Sequence, residues 1–287
     1  MVALRTILDR DGQAQHVLQA LALEVPLVDF SAHPRSEAER QARAWQRRDC
    51  EVAFDRVRGP LLRAHLLKLA AEVHVLVVTT HHIINDGFSI AVMLGEITEL
   101  YEAAREGRAP DLKAPMQFRD YIDTLDELRG TEEWAAHERY WVSKYEDGVP
   151  ILNLPTDRPR PPIKTFAGNR YASVLDADLA RQIIRTGGRQ GCTLLMTLLG
   201  SYMILLHKLT GQDDLVVGVP VAARPFDGMD TVVGYCTNVI PVRSRWQGAR
   251  SLADYLRWFR TVLIEDYEHL LYPLIEMLET VQPERDV

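Results

Sequence analysis

A mixed α/β fold, an α+β sandwich in two packed units, is what this sequence predicts, and three observations predict it. The β-branched run His74-Val75-Leu76-Val77-Val78-Thr79-Thr80 is followed by Asp86-Gly87 and then by apolar residues at helical spacing, Ile90, Met93, Leu94, Ile97, Leu100 and Tyr101. Strand and helix patterns occur on both sides of a Pro-rich stretch at 155–162, which can hold neither a helix nor a central strand and reads as an extended connector. A chain of 287 residues that is 47% hydrophobic can bury one large core or two smaller ones. The expected division is therefore 1–162 and 163–287.

Taken in order, residues 21–31 read as a loop leading into a polar helix over 36–49, whose charges of mixed sign mark an exposed face. Gly59-Pro60 starts the run 61–69, which should pair with a buried strand over 74–80 in a hairpin closed near Ala70-Ala71-Glu72. Arg63 in this run reads either as a buried charge partner or as a residue of the solvated face. The helix after Asp86-Gly87 ends near Gly107. Pro110 and Pro115 mark a loop, and a long helical region covers 117–145 with a break at Gly130. Its aromatics Phe118, Tyr121, Trp134, Tyr140 and Trp141 read as core packing. Beyond the connector come a strand over 164–174, a helix from Asp176, a long buried helix over 193–209, buried strands over 215–221 and 238–243, and a helix over 252–267. Ser201 and His207 are ordinary helix residues, because no Gly-x-Ser-x-Gly elbow surrounds Ser201.

Composition narrows the function classes. A net charge of −7 argues against nucleic-acid binding, which calls for a basic patch. Three scattered cysteines, Cys50, Cys192 and Cys236, make no disulfide framework and fit a cytoplasmic setting. There is no signal peptide, and the most apolar stretch, 194–206, is too short to span a bilayer, so no membrane partner is expected.

The chemistry is concentrated in His81-His82-Ile83-Ile84-Asn85-Asp86-Gly87. Paired histidines where a strand leaves the core are held by a sheet and can still reach a cleft. An imidazole with a pKa of about 6.5 accepts a proton at neutral pH, and an Asp four residues on, across a tight turn, braces the turn instead of touching substrate. Gly87 is expected to supply a backbone angle that residues with a Cβ resist. A metal site is not expected: adjacent histidines on a strand point to opposite faces, and no HExxH or CxxC accompanies them.

This stretch resembles the HHxxxDG core motif of the condensation domains of nonribosomal peptide synthetases. Leu152-Asn153-Leu154-Pro155-Thr156-Asp157-Arg158-Pro159-Arg160-Pro161 is similar to that family's linker, and Gly191-Cys192-Thr193-Leu194-Leu195-Met196-Thr197-Leu198-Leu199 to its long buried helix. Gly211-Gln212-Asp213-Asp214-Leu215-Val216-Val217-Gly218 and Val233-Gly234-Tyr235-Cys236-Thr237-Asn238 follow in the family's order. Phe118-Arg119-Asp120-Tyr121 matches a further motif loosely. His269-Leu270-Leu271-Tyr272-Pro273-Leu274 resembles HQDYPFE with Gln and Asp replaced by Leu. The chain opens on Met1-Val2-Ala3-Leu4-Arg5-Thr6, similar to the second half of RHExLRT, and closes on Pro283-Glu284-Arg285-Asp286, similar to the start of the final motif. Truncation at both ends is therefore expected.

The resemblance implies two subdomains similar to chloramphenicol acetyltransferase in a V-shaped arrangement, both incomplete. It implies attack of an acceptor amine on a donor thioester. Both substrates would arrive on phosphopantetheine arms of upstream and downstream peptidyl carrier proteins, beside adjacent synthetase domains, with no cofactor bound directly. By position it implies His82 as the catalytic residue, with His81, Asp86 and Gly87 shaping its loop. Asn238, Arg224 and Tyr235 are candidates of the tunnel and second subdomain, Arg224 as a partner of Asp86. A stand-alone acyltransferase using coenzyme A thioesters shares HxxxD chemistry but not the linker and Gly-Gln-Asp-Asp segments. Epimerisation domains continue the motif differently from Phe88-Ser89-Ile90, heterocyclisation members replace the histidines, and an inactive docking remnant is the non-enzymatic alternative.

Overall fold

The computed structural model describes residues 1–159, 161, 163, 165, 168–246 and 251–283. Packing divides the chain into two compact units, Met1–Glu127 with Arg224–Thr237, and Leu128–Ala223 with Asn238–Val287. These differ from the division expected at the connector. Residues 128–162 group with the second unit, and a segment from far along the chain returns to the first.

The first unit begins with a 3-10 turn, Ala3–Arg5, and a small antiparallel hairpin of β1 (Thr6–Leu8) and β2 (Gln15–Val17). A three-stranded sheet follows, built from β3 (Leu27–Asp29), β4 (Leu62–Ala70) and β5 (Val73–Thr80), with α1 (Arg35–Glu51) between β3 and β4. β3 runs parallel to β4, and β4 pairs antiparallel with β5 from Leu62↔Thr80 to Ala70↔Val73. The expected hairpin is present, while β3 lies inside what the sequence predicts to be a loop. A strand of three residues is too short for its period to stand out in sequence.

α1 is not uniformly solvated. Ala38 and Ala42, one turn apart, pack on Leu67, Leu69 and Val77 of the sheet. Asp49 of α1 is also buried, and Arg63 of β4 pairs with it: Nε lies 3.3 Å from Asp49 Oδ1, and Nη2 donates to the carbonyls of Asp49 and Val52. The Arg63 guanidinium also lies 4.0 Å from the Phe54 ring centroid. Its partnered reading is the one observed. β5 is an edge strand rather than a buried one: Val77 is buried, but Val75 and Leu76 are about 40% exposed.

α2 (Gly87–Glu106) ends at Gly107, whose φ of 67° gives the left-handed cap that glycine adopts without strain. Of its apolar stripe Met93 is buried, whereas Ile90, Leu94, Leu100 and Tyr101 are exposed. α3 (Phe118–Leu128) packs Tyr121 on Met229, Val232 and Cys236 of the returning segment, with Phe118, Leu125 and Phe226 around them. Val233 joins Ala3 and Met93 in another cluster. These contacts tie Arg224–Thr237 to the first unit.

In the second unit α4 (Glu132–Lys144) starts at Thr131, whose hydroxyl accepts from Trp134 N, after the break expected at Gly130. α5 (Ala177–Gly188) and α6 (Leu194–Thr210) are capped by Asp176 and Thr193. β6 (Asp214–Ala222) pairs with β7 (Thr237–Arg245), and α7 (Leu252–Glu268) and α8 (Leu274–Val281) follow. α6 is not a wholly buried helix. Thr197, Gly200, Met203 and Leu206 form one buried stripe, and Leu195, Leu198, Tyr202, Leu205 and Leu209 are exposed. β6 alternates instead of being buried on both faces.

Residues 168–174 take no regular structure, so the strand expected over 164–174 is absent there, and Lys164 lies outside the described residues. Arg160 and Pro162 of the connector, and Glu284, Arg285 and Asp286 of the last motif, also lie outside them. Trp141 and Tyr145 are buried core residues: Trp141 Nε1 donates to His269 O at 2.9 Å, and Tyr145 Oη donates to Pro241 O at 2.6 Å. His137 and His269 meet Nδ1 to Nδ1 at 2.7 Å. The cysteines are free, Cys50 exposed and Cys192 and Cys236 buried. Among the described residues, no helix is long and apolar enough to cross a membrane.

Candidate active site

In the loop from β5 to α2 the polar side chains are committed to hydrogen bonds, with one left over. His81 leaves the strand with its N–H donating to Leu61 O at 2.9 Å, and its Nδ1 accepts from Ile83 N at 3.1 Å, capping a 3-10 turn over His82–Ile84. Burial, helped by the charge of Arg56, lowers the His81 pKa, which keeps the ring neutral and able to accept that hydrogen bond. Asn85 is buried, and its Nδ2 donates to Thr80 Oγ1 at 2.7 Å. These bonds close the turn from within.

Asp86 caps α2 and carries the heaviest load. Its Oδ1 accepts from Ser89 N at 2.8 Å and from Arg224 Nη2 at 2.9 Å, and its Oδ2 accepts from Arg224 Nη2 at 3.0 Å and Cys236 N at 3.1 Å. Both side chains are buried, Asp86 at 2% and Arg224 at 5% exposure. Burial works to raise the Asp86 carboxyl, but the Ser89 and Arg224 hydrogen bonds outweigh it and hold the pKa below the ordinary value. Arg224 also donates through Nη1 to Met229 O and Val232 O, and its guanidinium lies 4.6 Å from the Phe88 ring centroid. Thus the partnership of Asp86 with Arg224 expected from sequence is present in the geometry, and it lies inside the first unit.

Ser89, fully buried, is a residue that sequence reasoning passed over except as a family marker. Its hydroxyl has Asp86 Oδ1 at 2.7 Å and Gly234 O at 2.9 Å to receive its single proton, and it accepts from Gly234 N at 3.1 Å. The signal available in sequence was the spacing Asp-x-x-Ser at a helix start, where the fourth residue can reach back to the cap. Gly234 itself admits nothing larger, since a Cβ there would lie 2.1 Å from the Phe118 ring. Cys236 has its thiol pushed up to about 11 by burial, with Asp86 adding to the effect, which favours the protonated thiol over the thiolate.

Gly87 departs from expectation. It is the first residue of α2 with no positive φ, and a Cβ would meet nothing within 4 Å, so its backbone is one that other residues adopt. The loop's shape comes from hydrogen bonds to Asp86, and not from a glycine angle.

His82 is the exposed member of this loop, and no hydrogen bond of its ring is found among the described residues. Its neighbour is the Tyr235 ring, 5.3 Å away between centroids with the planes at 72°, while the His81 ring faces Phe54 at 6.0 Å. The two histidines thus look to different surroundings. Asn238 belongs to the other unit, where its Nδ2 donates to Leu270 O and Tyr272 O and its Oδ1 accepts from Val239 N and Leu274 N. An imidazole free to accept a proton, on a loop otherwise fully bonded, is equipped for acid–base work on an incoming group.

Residues 2–287 match the family model described as Condensation domain. The chain is 34% identical over 287 residues to tyrocidine synthase 3 of Brevibacillus parabrevis, covering 99% of this chain and 4% of that protein. It is 34% identical over 234 residues to bacitracin synthase 2 of Bacillus licheniformis, covering 82% of this chain and 9% of that protein. Among solved structures, it superimposes on the SgcC5 protein from Streptomyces globisporus with a TM-score of 0.83 and 26% identity, over 98% of this chain and 63% of that one. With the first condensation domain of the calcium-dependent antibiotic synthetase the TM-score is 0.79 at 21% identity, over 98% of this chain and 65% of that one. The chain thus spans a small part of the synthetases it matches and a little under two thirds of these solved chains.

Proposed function

Since the chain belongs to the condensation-domain family, we propose that it forms an amide bond between a carrier-bound acceptor amine and a carrier-bound donor thioester, with His82 as the residue that places the amine and takes its proton. The amine nitrogen attacks the thioester carbonyl carbon, His82 accepts the N–H proton as the tetrahedral intermediate forms, and the C–S bond breaks as the proton passes to the departing sulfur. An α-amine with a pKa near 7.7 to 8.0 is already neutral in roughly one molecule in ten at pH 7, so deprotonation costs only about 1.4 kcal/mol. Fixing the amine against the carbonyl can contribute about 7–11 kcal/mol through effective molarity. Orientation is the larger share of the task, and a loop bonded at every other polar side chain suits it.

The observation that carries this reading is the contrast within the motif. His81, Asn85 and Asp86 are committed to holding the loop, and His82 is exposed and free to accept. Arg224 and Asp86 act as structural partners in this reading, Tyr235 stands beside the reacting histidine, and Asn238 is a candidate substrate-lining residue of the second unit. The substrates come on phosphopantetheine arms from upstream and downstream peptidyl carrier proteins, with no cofactor held by the chain itself. A cytoplasmic setting belongs to the same reading, supported by the family and by three unpaired cysteines.

The test is His82→Ala in the multidomain context that the family implies. Amide formation is expected to fall by about 10²-fold or more, the range of a positioned acid–base group. His81→Ala should instead lower the thermal midpoint, because the Ile83 N–H loses its acceptor. Folded His82→Ala protein that joins the two substrates at the parental rate refutes the assignment, and turnover of a coenzyme A thioester in place of the carrier-bound donor would favour a stand-alone acyltransferase.

A further inference from the structure

We propose that Tyr235 is a positioning residue for the His82 imidazole, locked in place by Ser89 and Asp86 through the backbone on either side of it. This rests on His82 being the reacting group. A histidine that acts as a base commonly has its second ring nitrogen held by a carboxylate or carbonyl, which fixes both tautomer and direction. No such bond to His82 is found among the described residues, and the ring contact it does have is with Tyr235, 5.3 Å away and nearly perpendicular. Edge-to-face geometry of this kind is attractive and directional, because the positive edge of one ring meets the negative face of the other.

A contact can orient a neighbour only if it is itself fixed, and Tyr235 is fixed from both sides. On one side Gly234 is clamped by the Ser89 hydroxyl, which faces its N–H at 3.1 Å and its carbonyl at 2.9 Å, and is pressed against the Phe118 ring. On the other side the Cys236 N–H donates to Asp86 Oδ2 at 3.1 Å. Asp86 lies in the motif that carries His82 and Ser89 in the first turn of the helix that follows it, so the loop and helix start that present the histidine also hold the residue standing against it. Tyr235 remains 43% exposed, so its ring can stand at the site without being part of the core. Nothing in these contacts uses the phenol oxygen. Phenylalanine should serve equally well and an aliphatic residue should not.

The test combines a spectroscopic and a kinetic readout. In the 287-residue chain with isotope-labelled histidine, the His82 ring protons are assigned by their loss in His82→Ala. They should keep their chemical shifts in Tyr235→Phe and move in Tyr235→Leu, where the ring current is gone, while those of His81 stay put. In the multidomain context, Tyr235→Leu should lower kcat by about 3- to 10-fold, the range an aromatic pair corresponds to, with KM little changed and Tyr235→Phe like the parent. Unmoved His82 resonances in Tyr235→Leu overturn the proposal, as does a Tyr235→Phe variant that behaves like Tyr235→Leu. So does an unchanged kcat in Tyr235→Leu when His82→Ala is inactive. If His82→Ala keeps parental turnover, the catalytic reading fails on its own, and the resonances alone decide whether Tyr235 sets the ring.

Discussion

Replacing Asp86 with alanine should cost the fold about 3–5 kcal/mol, because it strands a buried cation. The Arg224 side chain is 5% exposed and its Nη2 is shared between the two Asp86 oxygens, so without the carboxylate it keeps its charge with no anion beside it among the described residues, only the Met229 and Val232 carbonyls, the Ser89 hydroxyl and the Phe88 ring. The same change removes the cap of α2, worth about 1 kcal/mol, and leaves the Cys236 N–H without its acceptor. These losses share atoms and will not simply add. Against a total stability of about 5–15 kcal/mol, a shift of this size is visible as a lowered urea midpoint. Asp86→Asn keeps a competent cap, so it should recover about 1 kcal/mol of the loss and leave the charge effect standing. Arg224→Met in the Asp86→Ala background should restore stability beyond the sum of the single changes, since no uncompensated charge then remains. The acid limb carries the same signature. The Asp86 pKa is lower folded than unfolded, so its contribution is present above the ordinary value of 3.8 and is lost as pH falls below it. Asp86→Asn should lack that part of the acid transition. A midpoint unchanged in Asp86→Ala, or single and double variants that add without coupling, would refute this account of the pair.

Gly234→Ala puts a methyl group 2.1 Å from Phe118 and should lower the thermal midpoint sharply, by the equivalent of about 1–3 kcal/mol or more, with partial rescue by Phe118→Leu. Gly87→Ala, by contrast, meets open space in a helical backbone and should be neutral or stabilising by up to about 1 kcal/mol. The buried His137 and its half-buried partner His269 should make stability fall on acidification. Burial first, and for His269 also the charge of His137, lowers both pKa values below the ordinary 6.5. Between those lowered values and 6.5 the unfolded chain binds more protons, so stability rises with pH there and is lost as pH drops through the window. Urea midpoints at about pH 7 and about pH 5.5 should differ for the parent and differ less for His269→Gln, in which the His137 shift remains.

The parts of the molecule legible in the sequence were those whose cause is local. The β4–β5 hairpin, the helix start at Asp86, the Gly107 cap and the break at Gly130 each follow from two or three neighbouring residues with a fixed conformational preference. Burial was less legible. Runs such as 74–80 and 194–209 are apolar enough for a core, yet β5 lies at a sheet edge and α6 keeps one stripe inside, because burial depends on what other segments cover. The Asp49–Arg63 pair and the role of Ser89 were hidden for the same reason: a charged or hydroxyl side chain is marked only by partners distant in sequence. Gly87 shows the opposite error, a glycine credited with a strained angle when its φ is ordinary for a helix.

The return of Arg224–Thr237 to the first unit has a consequence for anyone who would recombine such chains. The connector at 155–159 looks like a natural seam, being proline-rich and without regular structure. Joining there at will, however, separates Asp86, Ser89, His82 and Phe118 from Arg224, Gly234, Tyr235 and Cys236, which are in contact with them. A chimaera spliced at the seam inherits two halves of one hydrogen-bonded knot from different parents. The transplant that respects the chemistry carries the fourteen-residue ribbon along with the histidine loop, and leaves the rest of the downstream half to its new owner.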